Sequence, residues 1–212
     1  MPVSPPRPWL GSAVLALSGL VALPAVQAQQ LSAVDARAIW PERSLSACRT
    51  AQAEAVDACL LRTMQKGGAR PQAIAAAKAL AASGNPGFIS AWRPVGKAGI
   101  ATVSYPFRAN TNEGSLLVGS NGAAVDLDAD PLRDADRATD TWRTFAAAHP
   151  ESLPFAPATL VGTTNSGDGG HRLLFSTPLK TCHACATDGN LFVSYEIDRA
   201  GVVRSRKLLA IR

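Results

Sequence analysis

The chain is 212 residues long, 47% apolar and 17% charged, with a formal net charge of +5. This balance excludes collagen-like, coiled-coil and wholly disordered classes, and the length suits one domain. Aromatic residues supply only 6% of the chain, so the core has to be built chiefly from Leu, Val and Ile.

The first element is a leader. Arg7 stands among prolines, an uncharged and mainly apolar run follows over 10–23, and Pro24 precedes the triplet Val26, Gln27, Ala28. That is the layout of a secretory signal peptide cut after Ala28. The apolar run approaches the lower length limit for a bilayer span, but Pro24 and the short h-region favour cleavage over anchoring. No Cys lies near the cut to accept a lipid, and no paired arginines precede the run. Nothing after the leader is apolar for long enough to span a membrane. The mature chain is expected to be soluble and periplasmic or secreted, and loss of Arg7 lowers its net charge from +5 to +4.

Residues 29–212 are expected to form a single α+β domain, helical over 31–84 and sheet-rich over 85–212. Ser32 with Asp35 signals a short helix running to Trp40, and Pro41 ends or restarts it. Leu45, Cys48, Val56, Cys59, Leu60 and Met64 recur at helical spacing until Gly67 and Gly68 stop the pattern. A further helix is predicted from Pro71 through Ile74 and Leu80 to Gly84. Strands are then expected over 88–93, 100–105, 115–119 and 123–127. The last two are joined by Ser120, Asn121 and Gly122, because an Asn-Gly pair between apolar runs is a strong hairpin signal. Residues 134–148 read as one long amphipathic helix with Trp142 and Phe145 on one face. Strands return over 158–163, 172–176, 191–197 and 202–210. The layout predicts N-terminal helices followed by one mainly antiparallel, curved sheet with that long helix inserted.

Four Cys survive leader cleavage: Cys48, Cys59, Cys182 and Cys185. An even number in an exported chain suggests disulfides. In one straight helix Cys48 and Cys59 sit about 16 Å apart along the axis, whereas a disulfide tolerates a Cα separation of about 4.4 to 6.8 Å. A Cys48–Cys59 bond therefore requires a bend, although 49–58 contains neither Gly nor Pro. The two local pairings are preferred, narrowly, over the crossed ones.

Cys182, His183, Ala184 and Cys185 form the most chemically suggestive segment. Two Cys at this spacing serve as a structural bridge, a redox dithiol or a pair of metal ligands. The structural bridge is the reading preferred here. Over these four positions the segment resembles the active dithiol of thioredoxin-like oxidoreductases, which implies thiol chemistry at Cys182 and Cys185 with His183 favouring the thiolate. In that family the motif opens a helix after an early strand, whereas the 27 residues after Cys185 read as two strands. The metal alternative recruits Cys182, His183 and Cys185 together with His171 or a helix Cys for Zn or Cu(I). A c-type haem is excluded, because Ala186 stands where a His is needed.

Other candidates have plainer explanations. Asp126, Asp128, Asp130 and Asp134 resemble the first positions of an EF-hand calcium loop. Pro131 replaces its turning Gly, however, and Arg137 stands at its terminal carboxylate. A strand exit, with Asp134 capping the helix and Asp136 near its N-terminal dipole, explains the same residues. Residues 165–170 read as a flexible hairpin tip, and Arg108 is placed to grip a carboxylate in a fork. His149 suits a helix C-terminus, and neither it, His171 nor His183 lies in a nucleophile motif. The densest basic cluster, Arg204, Arg206 and Lys207, reads as a solvated strand face with Arg204 and Arg206 pointing away from Val203 and Leu209. No nucleic-acid partner and no cofactor are expected. The expected role is binding of a protein or small molecule in the cell envelope, with a thiol-disulfide redox or metal-binding protein as the alternative, and no enzyme class is indicated.

Overall fold

The computed structural model describes residues 29–31, 34–41, 45–50, 55–109, 112–129 and 131–212; the expected leader over 1–28, Ser32 and Asp130 lie outside them. Asp35 caps a short 3-10 turn, Ala36–Ala38, its side chain accepting from the Arg37 N–H. No longer helix reaches Trp40. Ile39 is already extended, and the Trp40 N–H donates to the Ile89 carbonyl at 2.9 Å, so a sheet edge takes up the backbone that a helix needs.

Helices α1 (Ser46–Thr50) and α2 (Val56–Lys66) are separate, and Ala55 before α2 is extended with ψ 136°. The interruption brings Cys48 and Cys59 to a Cα separation of 5.6 Å, and they are bonded. Helix α3 (Pro71–Ala82) starts with Pro71 in its first turn, where a missing N–H costs nothing. It buries Ala73, Ala76, Ala77 and Leu80, a face of three small side chains and one large one.

The fold is α+β, with two antiparallel sheets in place of the single sheet expected. Strands β1 (Gln29–Gln30), β2 (Phe88–Val95), β3 (Ala98–Ser104), β4 (Glu113–Val118) and β5 (Ala123–Asp126) form the first, in the order β1-β5-β4-β3-β2. The expected hairpin joins β4 to β5, with Gly122 at φ 79° in its turn, a conformation that favours glycine. Strands β6 (Leu153–Pro154), β7 (Thr159–Asn165), β8 (His171–Lys180), β9 (Gly189–Ile197) and β10 (Val203–Ile211) form the second. Its order is β10-β9-β8, and both β6 and β7 pair with the remaining edge of β8.

The segment predicted as one long helix is two pieces, α4 (Asp134–Arg137) and α5 (Asp140–Ala148). Thr139 divides them. Its hydroxyl donates to the Asp136 carbonyl at 2.6 Å and accepts from the Trp142 N–H at 3.3 Å, ending one helix and capping the next. Nor does Asp134 cap α4. The Asp136 carboxylate reaches back to the Arg133 N–H at 2.9 Å instead.

The first sheet is the middle layer. Ile89, Ala101, Val103, Leu116 and Val118 pack with Ala76 and Leu80 of α3 on one side. Leu117, Ile100 and Val125 pack on the other side, with Leu173, Phe175, Leu191, Val193 and Tyr195 of the second sheet. Strand β4 is buried on both faces, which is why Leu116, Leu117 and Val118 read as an unbroken apolar run. A third cluster joins Trp40, Leu60, Met64 and Phe88 around the Cys48–Cys59 bond, with Trp40 edge-on to Phe88 at 4.8 Å. No helix among the described residues is long and apolar enough to cross a membrane.

Candidate functional site

The second sheet ends, beyond β8, in a loop over 181–188 that returns to β9. Near it the two sheets leave a cleft of about 340 Å³ lined by Thr102, Asn112, Glu113, Gly114, Ser115, Asp128, Ala156, Pro157 and His183. Five segments build this cleft: β3, the start of β4, the exit of β5, the chain from β6 to β7, and the 181–188 loop.

Asp128 ties its own strand exit to the start of β4 and to the chain ahead of β7. Its Oδ2 accepts from the Ser115 N–H of β4 and its Oδ1 from the Ala158 N–H ahead of β7, both at 2.7 Å. One side chain thus stitches the first sheet to the second. Burial pushes the Asp128 carboxyl above its ordinary value, and these two N–H donors oppose the shift without cancelling it. A carboxylate offers about four acceptor directions, so two bonds leave it capacity to accept from a molecule in the cleft.

Tyr105 lies close to Asp128, behind the cleft-lining Gly114. Burial, with Asp126 and Asp128 nearby, pushes its phenol up to about 12. Its ring lies against Gly114, where an added Cβ would stand 2.8 Å from Cε2, so only glycine fits there. Arg108 lies over the other part of the ring, 3.5 Å from its centre, and donates from Nη2 to Asn85 Oδ1 at 2.6 Å. Part of its guanidinium is therefore already engaged by protein.

The remaining sequence candidates fall in different places. Asp126 does not reach for an ion: its Oδ1 accepts from the N–H groups of Asp128 at 2.9 Å and Ala129 at 3.0 Å, which closes the strand exit as a turn. Cys182 and Cys185 are bonded to each other with a Cα separation of 5.0 Å. His183 between them is exposed and lines the cleft, 6.1 Å from the Phe155 ring. His171 sits elsewhere, its Nδ1 3.0 Å from Asn165 Oδ1 at the opposite end of β8, and His149 ends α5, stacked on Phe145. Among the described residues no group of three His, Cys, Asp or Glu side chains is placed to hold a metal ion.

One charged group lies where the sequence did not put it. Arg206 is not on a solvated face; its side chain is 5% exposed and bonds the Asp136 carboxylate, itself 12% exposed. A bulge between Val203 and Ser205 takes Arg204 out of step with β9, so Arg204 and Arg206 no longer share a face. Arg204 stays exposed and pairs with Asp198. Compared with known proteins, the chain matches no family model, and no curated relative or solved structure is similar enough to count as a match.

Proposed function

We propose that the chain is an exported, disulfide-held binding protein whose ligand sits in the cleft beneath the 181–188 loop. The observation that supports this is the convergence of Glu113 and Asp128, from the two ends of the β4–β5 hairpin, with His183 of the 181–188 loop on one open cavity of about 340 Å³. That volume lies within the range of small-molecule sites, which is about 300 to 1,000 Å³. Two carboxylates on its wall favour a ligand presenting an ammonium, guanidinium or amide N–H. The leader expected over 1–28 and the even Cys count support export.

Amide chemical-shift titration with a lysine-containing tripeptide tests the reading. Shifts are expected to concentrate on Gly114, Ser115 and His183, and to be lost in Asp128→Asn. An otherwise identical glutamate-containing tripeptide is expected to produce none. Binding of both peptides alike, or shifts scattered over the surface, would overturn it.

A further inference from the structure

The two disulfides occupy opposite environments. Cys48 is 2% exposed and Cys59 4%, and both lie in the cluster formed by Trp40, Leu60, Met64 and Phe88. Cys182 is exposed and Cys185 half-buried, and the flanking Thr181, Ala184 and Ala186 are exposed and too small to screen them. The hairpin that carries the second bond is also closed without it. The β8–β9 ladder runs up to the pair Leu179 and Gly189, the Asp188 N–H donates to the Leu179 carbonyl at 2.9 Å, and the Ser152 hydroxyl holds the Asp188 carboxylate. A bond spanning a sequence separation of 3 inside an already closed neck contributes little to holding the chain. Exposed disulfides of this kind are the labile ones.

We propose that the Cys182–Cys185 bond is a thiol-disulfide exchange site for dithiols outside the cytoplasm, with Cys182 as the sulfur attacked. This goes beyond the binding role of the cleft. A thiolate of the dithiol attacks Cys182 Sγ, forming a mixed disulfide, and the Cys182–Cys185 bond breaks with its electron pair leaving on Cys185 as thiolate. The second thiolate of the dithiol then attacks its own sulfur in the mixed disulfide and expels Cys182. The dithiol ends as a disulfide and Cys182 and Cys185 as two thiols, so two electrons and two protons pass to the protein. Half-burial of Cys185 directs the first attack, because a thiol arriving from solvent meets Cys182 first.

The test uses the whole oxidised protein in native buffer with reduced glutathione as the probe, acid quenching, N-ethylmaleimide capping and peptide mapping by mass spectrometry. Thiols at Cys182 and Cys185 are expected to appear at least about tenfold faster than at Cys48 and Cys59, with the first glutathione adduct on Cys182. Cys185→Ser is expected to take glutathione from its oxidised form about tenfold faster than Cys182→Ser. Reduced dithiothreitol in a parallel arm is expected to be oxidised one for one by the Cys182–Cys185 bond while near-ultraviolet circular dichroism stays native. Equal opening of the two bonds, a first adduct on Cys185, or exchange only after urea unfolding would each overturn the proposal. The wild-type kinetics carry the test even if a variant fails to fold.

Discussion

Replacing Arg206 by Met should be among the most damaging single changes in the second sheet. The Arg206 side chain is 5% exposed and its partner Asp136 12%, whereas the pairs Arg143–Asp140 and Arg172–Glu196 expose 65%/95% and 57%/42%. Exposed pairs like those two are worth about 0 to 1 kcal/mol. Breaking a buried pair costs about 3 to 5 kcal/mol, because one charge stays behind without compensation. In Arg206→Met the Asp136 carboxylate keeps only the Arg133 N–H as a described partner. Against that, Arg206 Nη2 is buried and has no hydrogen-bond partner among the described residues, and its removal relieves a cost, which places the loss at the lower end, about 3 kcal/mol. For a chain of this size that corresponds to a melting temperature lower by about 6 to 12 °C. The double variant Arg206→Met with Asp136→Leu removes both charges and leaves only the lost cap of α4, a cost of about 1 kcal/mol. Urea unfolding of wild type, both single variants and the double variant closes the cycle. A loss below about 1 kcal/mol in Arg206→Met, or a double variant no more stable than the single, would refute this picture of a buried, mutually dependent pair.

Four further outcomes are expected. Replacing Cys48 and Cys59 together by Ser should cost about 3 kcal/mol in urea unfolding, whereas the same change at Cys182 and Cys185 should cost under about 1 kcal/mol, since its neck is already closed. Asp128 has a folded pKa raised above its unfolded value, so the native state binds its proton more tightly. Wild-type stability relative to Asp128→Asn should then fall as pH rises from the unfolded carboxyl value through the folded one, and unfolding curves across the mildly acid range check the sign. Tyr105 is pushed up to about 12 and Tyr195 is also raised by burial, and these are the only two tyrosines. Tyrosinate absorbance should therefore stay low through the ordinary range near pH 10 and rise only above it, or with unfolding. Gly114→Ala brings a methyl 2.8 Å from the Tyr105 ring, for which an overpacking loss of about 1 to 3 kcal/mol is expected, with the cleft distorted in amide shifts.

What was legible in the sequence was local. Helical spacing and the Pro71 start marked α3, Gly67 marked the end of α2, and Asn121 with Gly122 marked the β4–β5 hairpin, because each depends on residues a few positions apart. The misreadings have physical causes of the opposite kind. Apolar spacing over 134–148 is equally compatible with a break, and the hydroxyl of Thr139, which serves both helices, decided for one. Strand alternation does not report which sheet a strand joins, so the eight strands expected read as one sheet, and the two-residue strands β1 and β6 gave no alternation to read. A bulge of one residue changed the parity of β10 and turned Arg206 inward. The cleft was hidden for a similar reason: Asp128 read as a hydrophilic strand exit, while its partners Ser115 and Ala158 lie 13 and 30 residues away. An acid in a strand exit was the only local sign.

Non-reducing peptide mapping of the protein recovered from its natural compartment, with its first residue determined, tests most directly whether this is an exported chain with two local disulfides. The expected result is a chain starting at Gln29 with linked peptides for Cys48–Cys59 and Cys182–Cys185. Recovery from the cytosol with residues 1–28 attached and four free thiols, or with the Cys pairs crossed, would contradict it.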